Sequence, residues 1–249
     1  MPYRVFGPFH IGPFMVNFYG IMFAVGVYIS YYLAVREARV KNLDRKVVEN
    51  LFFYLLMGGI IGARIGYIVL YWPEDLTFDL LEAFKIWKGG LAFYGGFIGA
   101  LITGLFFLRR YRMDFWRYAD AFTIPLVVGH LSGRMGDYLI GGHPGKLTNL
   151  PWAILLNGEL RHPVVLYEMT GLVMILFIIL ILRKRGCPPG FLFTSYVALY
   201  SVQRIFLDIF RIELTDPRYL GLTPSQFIAI GLLLSSILFM FPRLIKVRS

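Results

Sequence analysis

One cysteine, Cys187, is all that the 249-residue chain carries. An internal disulfide is therefore excluded. So is a zinc site of paired Cys and His ligands, because no such cluster at ligand spacing exists. Cys187 follows the basic run Arg183-Lys184-Arg185 in a short loop and is read as a bystander. Charge is scarce as well: Asp, Glu, Lys and Arg make up 16% of the chain, against about a quarter in soluble domains. Internal repeats and low-complexity segments are missing. The start of the chain lacks the short apolar core and small-residue cleavage site of a secretory signal. With Pro2, Pro8 and Pro13, and Arg4 as its one basic residue, residues 1–14 read as an arm on a membrane surface.

What is present is hydrophobicity. The chain is 57% hydrophobic with a mean hydropathy of +0.64, and apolar runs of about 20 residues, enough to span a bilayer, recur throughout. They predict an all-α membrane protein of about seven transmembrane helices, at 15–35, 48–71, 90–108, 118–139, 164–182, 191–210 and 222–241, forming one integral membrane domain over 1–249. The net charge of +10 does not indicate nucleic acid, because the basic residues sit in short loops between apolar runs. Alternate loops hold 15 and 8 Lys and Arg residues. The richer set belongs in the cytoplasm, which puts the N-terminus outside and the C-terminus inside.

Polar residues inside the spans are the functional signal. An arginine at mid-bilayer costs at least ~2.5–3.5 kcal/mol on insertion scales, so a chain that keeps one provides it with a partner. The stretch Gly129 to Gly145 carries His130 and Arg134 four residues apart, with Asp137 three further along the same helical face. Gly129, Gly133 and Gly136 remove bulk around them, for a neighbouring helix or for a headgroup. Arg134–Asp137 also reads as an internal ion pair. Arg64 is a second intramembrane arginine, set in Gly62-Ala63-Arg64-Ile65-Gly66. The segment 89–99 holds five glycines in eleven residues, each costing ~1 kcal/mol of helix propensity. Two readings stay open there: exposed backbone N–H groups offered to an anion, or close helix packing. Arg204 and Asp208 share a helical face with Arg211, as a headgroup site or as an ion pair joining helices. Arg161-His162-Pro163 opens the fifth span, with Tyr167 and Glu168 in its first turns. On the expected topology these groups, with Tyr19 and Gly145, converge at the outer leaflet. Arginine's planar fork pairs phosphate oxygens bidentately, which suits a phospholipid headgroup.

The chain resembles the bacterial prolipoprotein diacylglyceryl transferases. The resemblance rests on Phe18-Tyr19-Gly20-Ile21, Gly62 to Tyr67, Trp87 to Gly99, Gly133-Arg134-Met135-Gly136, Arg161-His162-Pro163 with Leu166-Tyr167-Glu168, and Arg204 to Arg211, in the family's order. It implies a seven-span enzyme in the bacterial cytoplasmic (inner) membrane, with its active site towards the outer leaflet. Such an enzyme moves diacylglyceryl from phosphatidylglycerol to the thiol of a prolipoprotein lipobox cysteine, and glycerol phosphate leaves. The implied partners are phosphatidylglycerol, the lipobox peptide and the lipid bilayer; no cofactor, metal or nucleic acid is implied. Arg134, Arg204, Tyr94, His130 and Asp208 are the expected catalytic set. Arg134, Tyr19, Arg64, Gly95, Gly96, Asp137, Gly145, His162, Tyr167, Glu168 and Arg211 are the expected substrate-binding set.

The chain departs from the family signature Gly-Arg-x-Gly-Asn-Phe-x-Asn-x-Glu-x-x-Gly. Asp137 replaces the first Asn, Tyr138 the Phe, Ile140 the second Asn and Gly142 the Glu. A sixth-span glutamate is shortened to Asp208, and Val165 stands where glutamine is common. His130 and His143 are polar additions that can supply a base. Two other readings remain: a divergent paralogue with another acceptor, or a non-catalytic phospholipid-binding membrane protein, since fold does not fix function.

Overall fold

The structure is a computed structural model that describes residues 3, 5–12, 14–75, 90–212 and 218–248. The expectations placed on Arg4, on the acidic loop 76–88 and on Gly89 lie outside the described residues. Among the described residues there are seven α-helices: α1 (Phe18–Val40), α2 (Arg45–Asp75), α3 (Phe93–Arg110), α4 (Phe115–Leu139), α5 (Val164–Lys184), α6 (Phe191–Leu207) and α7 (Pro224–Arg248). Each coincides with one expected span. Four of them, α1, α2, α5 and α7, contain segments long and apolar enough to cross a membrane. The other three are shorter or interrupted by charge: α6 has 17 residues and ends near Arg204, α3 ends in Arg109 and Arg110, and α4 contains Pro125 besides its charged residues.

Two short hairpins complete the fold. β1 (Phe9–Ile11) pairs antiparallel with β2 (Phe14–Val16), so α1 starts three residues later than expected. β3 (Ile154–Leu156) pairs with β4 (Glu159–Arg161) across Asn157-Gly158. Both turn residues have positive φ, 51° and 83°, the pairing a tight two-residue hairpin requires.

The chain divides into two compact units, one of residues 1–33 and 119–249, the other of residues 34–118. In the second, α2 and α3 cross along a glycine seam. A Cβ on Gly62 would lie 2.4 Å from the Gly95 carbonyl oxygen and 2.8 Å from the Gly99 Cα. A Cβ on Gly66 would meet Gly95 at 2.8 Å, and one on Gly99 would meet the Gly58 oxygen at 2.2 Å. The glycines recur every four residues on both helices, so backbone meets backbone, as in small-residue interfaces of membrane helices. The seam shows what most glycines of the 89–99 segment do within this unit. The same unit uses one turn twice. Leu43 N–H returns to Ala38 O at 2.8 Å, and Met113 N–H to Leu108 O at 2.8 Å. Asn42 and Arg112 hold φ of 50° and 53°. Asp44 and Asp114 then cap the following helices by accepting from Lys46 N–H and Trp116 N–H, each at 2.8 Å.

In the first unit, α1 and α4 interlock through small residues. Ser132 Oγ donates to Met22 O at 2.6 Å, and Ser30 Oγ to Pro125 O at 2.8 Å. Ile124 and Val127 of α4 pack with Ile175 and Ile179 of α5. Asp120 of α4 is buried at the start of α6, where its carboxylate accepts from Gly190 N–H at 2.8 Å and Phe193 N–H at 2.9 Å. A carboxylate there satisfies orphan donors and complements the helix dipole. The outward faces remain apolar: α5 buries Leu172 and Ile175 but exposes Met174 and Phe177. Such a helix, apolar all round, suits lipid rather than water.

Gly99→Ala is expected to cost ~1–3 kcal/mol through overpacking of the seam, seen as a lower thermal unfolding midpoint in detergent. Gly231→Ala, where an added Cβ meets open space, is the control that leaves the midpoint in place or raises it.

Candidate active site

A carboxylate on α5 gathers the arginines. Glu168 stands in the second turn of α5, and its side chain is only 2% exposed. One of its oxygens, Oε2, lies 3.2 Å from Arg134 Nε of α4 and 3.4 Å from Arg211 Nη2. The other, Oε1, lies 3.4 Å from Arg204 Nη1 of α6. Asp208, fully enclosed, repeats the pattern: its Oδ1 is 3.1 Å from Arg204 Nε and 3.4 Å from Arg211 Nε. Asp208 begins a single 3-10 turn, Asp208–Phe210, that continues α6. Asp137 closes the set from α4, with Oδ2 2.7 Å from Arg134 Nη1. Three guanidiniums thus meet three carboxylates. Arg218 lies alongside and donates to the backbone oxygens of Gly221 and Asp208, each at 3.2 Å.

Neighbouring polar groups hold these charges in place. Thr223 Oγ1 donates to Asp208 Oδ2 at 2.7 Å and accepts from Gln226 N–H at 3.1 Å, while Gln226 Oε1 accepts from Thr223 N–H at 2.9 Å. This reciprocal capping box starts α7 and ties it to Asp208. Arg204 also donates to Ser225 Oγ at 3.1 Å. Gln203 Nε2 donates to the Glu168 carbonyl oxygen at 2.8 Å, in the space left by Gly171, where a Cβ would lie 2.5 Å from the Gln203 amide.

The site residues expected from sequence fall into three places. Arg134, Asp137, Glu168, Arg204, Asp208 and Arg211 form the cluster. His130 borders it: its Nδ1 lies 3.3 Å from the Tyr196 hydroxyl, and its ring packs edge-on against Tyr200 at 4.8 Å. Tyr19 lies against Gly136, whose added Cβ would be 3.1 Å from the Tyr19 ring.

His162 and Gly145 belong to the loop beside the cluster, and Tyr167 of the first turn of α5 packs against it. The Tyr167 hydroxyl accepts from Trp152 Nε1 at 2.7 Å and lies 3.3 Å from His162 Nδ1. A Cβ on Gly145 would be 2.4 Å from His162 O, so only glycine lets that strand bridge to Arg211.

Arg64, Tyr94, Gly95 and Gly96 belong to the other unit. There Arg64 Nη1 donates to Gly90 O at 2.9 Å and its guanidinium lies 5.4 Å from the Tyr67 ring centre. Tyr94 is in the first turn of α3. Tyr196, Tyr200, Thr223, Ser225 and Gln203 went unnoticed in the sequence. For the two tyrosines the signal was a polar stripe at four-residue spacing, Tyr196-Tyr200-Arg204-Asp208; the other three carried none.

His143, in the loop after α4, is half-exposed with Nε2 3.9 Å from Asp137 Oδ1. Partial desolvation pushes its imidazole below the ordinary 6.5; Asp137 opposes this, while Arg211 and Arg134 add to it.

Buried guanidiniums balanced by carboxylates among apolar helices define the class: a polytopic membrane protein with an internal charge cluster. Comparison with known proteins makes this specific. The profile of the family described as prolipoprotein diacylglyceryl transferase matches residues 7–242. The phosphatidylglycerol–prolipoprotein diacylglyceryl transferase of Chromohalobacter salexigens is 35% identical over 234 residues, 90% of this chain and 85% of that protein. The protein of that name from Finegoldia magna is 31% identical, covering 90% and 89%. That from Geobacillus kaustophilus is 33% identical, covering 94% and 90%. The chain belongs to the prolipoprotein diacylglyceryl transferase family.

Glu168→Gln leaves three guanidiniums short of a counter-charge, and removing one partner of a buried ion pair costs ~3–5 kcal/mol. A clear fall in the unfolding midpoint in detergent is expected. A change under 1 °C would show that the cluster is hydrated rather than buried.

Proposed function

We propose that this chain transfers diacylglyceryl from phosphatidylglycerol to the lipobox cysteine thiol of a prolipoprotein and releases glycerol phosphate. The observation that carries this reading is the convergence of Arg134, Arg204 and Arg211 on Glu168. A phosphodiester needs cations where its leaving group develops charge, and prearranged guanidiniums meet that need without reorganisation. The relatives' names, which include phosphatidylglycerol and prolipoprotein, support the choice of the two substrates.

On this reading the thiolate forms a C–S bond to the glyceryl carbon, the C–O bond to phosphate breaks, and the thiol proton passes to a base. Arg134 and Arg204 hold the phosphate, and Arg211 and Asp208 orient Arg204. Tyr19, Gly145, His162 and Tyr167 complete the substrate-binding set of this unit; in the other unit the reading gives Tyr94 a catalytic role and Arg64, Gly95 and Gly96 substrate-binding ones. The base is His143, which is half-exposed and neutral at pH 7; His130 is the other candidate, from its spacing to Arg134. The chain acts as one integral membrane domain over 1–249, a reading supported by the unbroken family match. It spans the cytoplasmic membrane seven times, N-terminus outside, with the site at the outer leaflet. The loop charge asymmetry supports that orientation.

The test is mass spectrometry of a lipobox peptide incubated with phosphatidylglycerol and the purified protein. A diacylglyceryl adduct is expected, and it should be lost in Arg134→Ala. A folded, lipid-binding protein that yields no adduct would overturn the reading.

The pH profile tests the base. The active form is the neutral imidazole, and its pKa lies below 6.5. The rate should therefore hold as pH falls to about 6.5 and decline below it. His143→Gln should lower the plateau and remove that acid limb. An unchanged limb would move the role to His130.

A further inference from the structure

Arg134 is clamped at both ends. Glu168 faces its Nε at 3.2 Å and Asp137 its Nη1 at 2.7 Å. Beside Asp137 lies Gly142, whose N–H donates to the Asp137 carbonyl oxygen at 2.8 Å. Gly142 is not among the positive-φ glycines, so its backbone accepts any residue. A Cβ built there would have its closest contact at 3.4 Å and would lie 3.5 Å from Asp137 Oδ1, which is ordinary van der Waals contact. A side chain at 142 therefore has room, and it starts at the carboxylate that holds Arg134. Positions 137 and 142 are two anchors from which one carboxylate can reach the same guanidinium.

We propose that Asp137 is a positioning residue for Arg134, and that its carboxylate takes, from α4, the place that a carboxylate on residue 142 would occupy. The inference rests on the reading of Arg134 as a phosphate-holding residue. Asp137 pairs with Arg134, so on this proposal it acts through the guanidinium's orientation. A carboxylate adds the attraction of an opposite charge to the hydrogen bond that an amide oxygen would also accept from the guanidinium. Asn at 137 keeps the shape but loses the clamp, leaving Arg134 drawn towards Glu168. Misplacement of a substrate-holding group by about 1 Å costs up to ~10²-fold in rate.

Four proteins test this: the native chain, Asp137→Asn, Gly142→Glu and the double variant. Each is reconstituted in phosphatidylglycerol-containing vesicles and assayed with a lipobox peptide. Asp137→Asn should lower kcat by about tenfold and move KM by less than about twofold. Gly142→Glu in that background should restore kcat to within about threefold of native. Loss of a purely structural contact would not be mended by a charge from another residue.

Native kcat in Asp137→Asn would overturn the proposal. So would a folded double variant no faster than the single one. Should Asp137→Asn not fold, recovery of a folded, active double variant supports the proposal, and failure to recover overturns it. A native chain that yields no adduct fails the transferase reading instead. Relocation of the carboxylate is then judged by phosphatidylglycerol binding: loss in Asp137→Asn with return in the double variant supports it, and any other pattern overturns it.

Discussion

Everything in the larger unit is arranged so that Glu168 can be a buried carboxylate. Burying a carboxylate or a guanidinium alone costs several kcal/mol per ion. Glu168 offsets this with three guanidiniums brought from α4, α6 and the turn after α6. Each partner depends on the others: Arg204 and Arg211 are also needed by Asp208, and Arg134 by Asp137. Small residues are what let the helices come close enough. Gly171 makes room for Gln203, which holds the backbone of Glu168, and Gly145 lets the loop reach Arg211. The interior is therefore specified by charge geometry more than by apolar shape. Its apolar packing, such as Ile124 and Val127 against Ile175 and Ile179, brings α4 and α5 together beneath the ions.

Much of this was legible in the sequence. Seven apolar runs gave seven helices because hydrophobic length reports helix length directly, with boundaries shifted where β2 or the 3-10 turn intervened. Arg134, Arg204 and Glu168 stood out because charge inside an apolar run is costly. The partners were harder to read. Whether Arg204 pairs with Asp208 alone or also with Glu168 depends on how helices are placed, which periodicity does not report. Thr223 and Ser225 carry no charge, so nothing marked them before the capping box showed Thr223 bonded to Asp208. Tyr196 and Tyr200 look like aromatic filling until the four-residue spacing is carried down to Arg204.

The glycines illustrate the limits of composition. Gly95 and Gly99 lie against Gly62, Gly66 and Gly58, and their spacing of four on both helices was visible in the sequence. Density alone did not separate a packing seam from an anion cradle, because both need a missing side chain. The repeated turn at Asn42 and Arg112 went unseen for a different reason. Its shared features are a backbone conformation and an Asp cap, and Asn-Leu-Asp and Arg-Met-Asp look little alike as letters.

The stripe on α6 does not run straight. Four residues turn an α-helix by about 400°, so each member is displaced by about 40° from the last, and Tyr196 and Asp208 point about 120° apart. Tyr196 accordingly meets His130 of α4, Arg204 meets Glu168 of α5, and Asp208 meets Thr223 ahead of α7. The helix is wound like the thread of a screw, and its polarity rises along the thread from phenol to guanidinium to carboxylate. Each turn of the thread is therefore matched to a different neighbour, so a slip of the helix by one residue would unpair all three contacts at once.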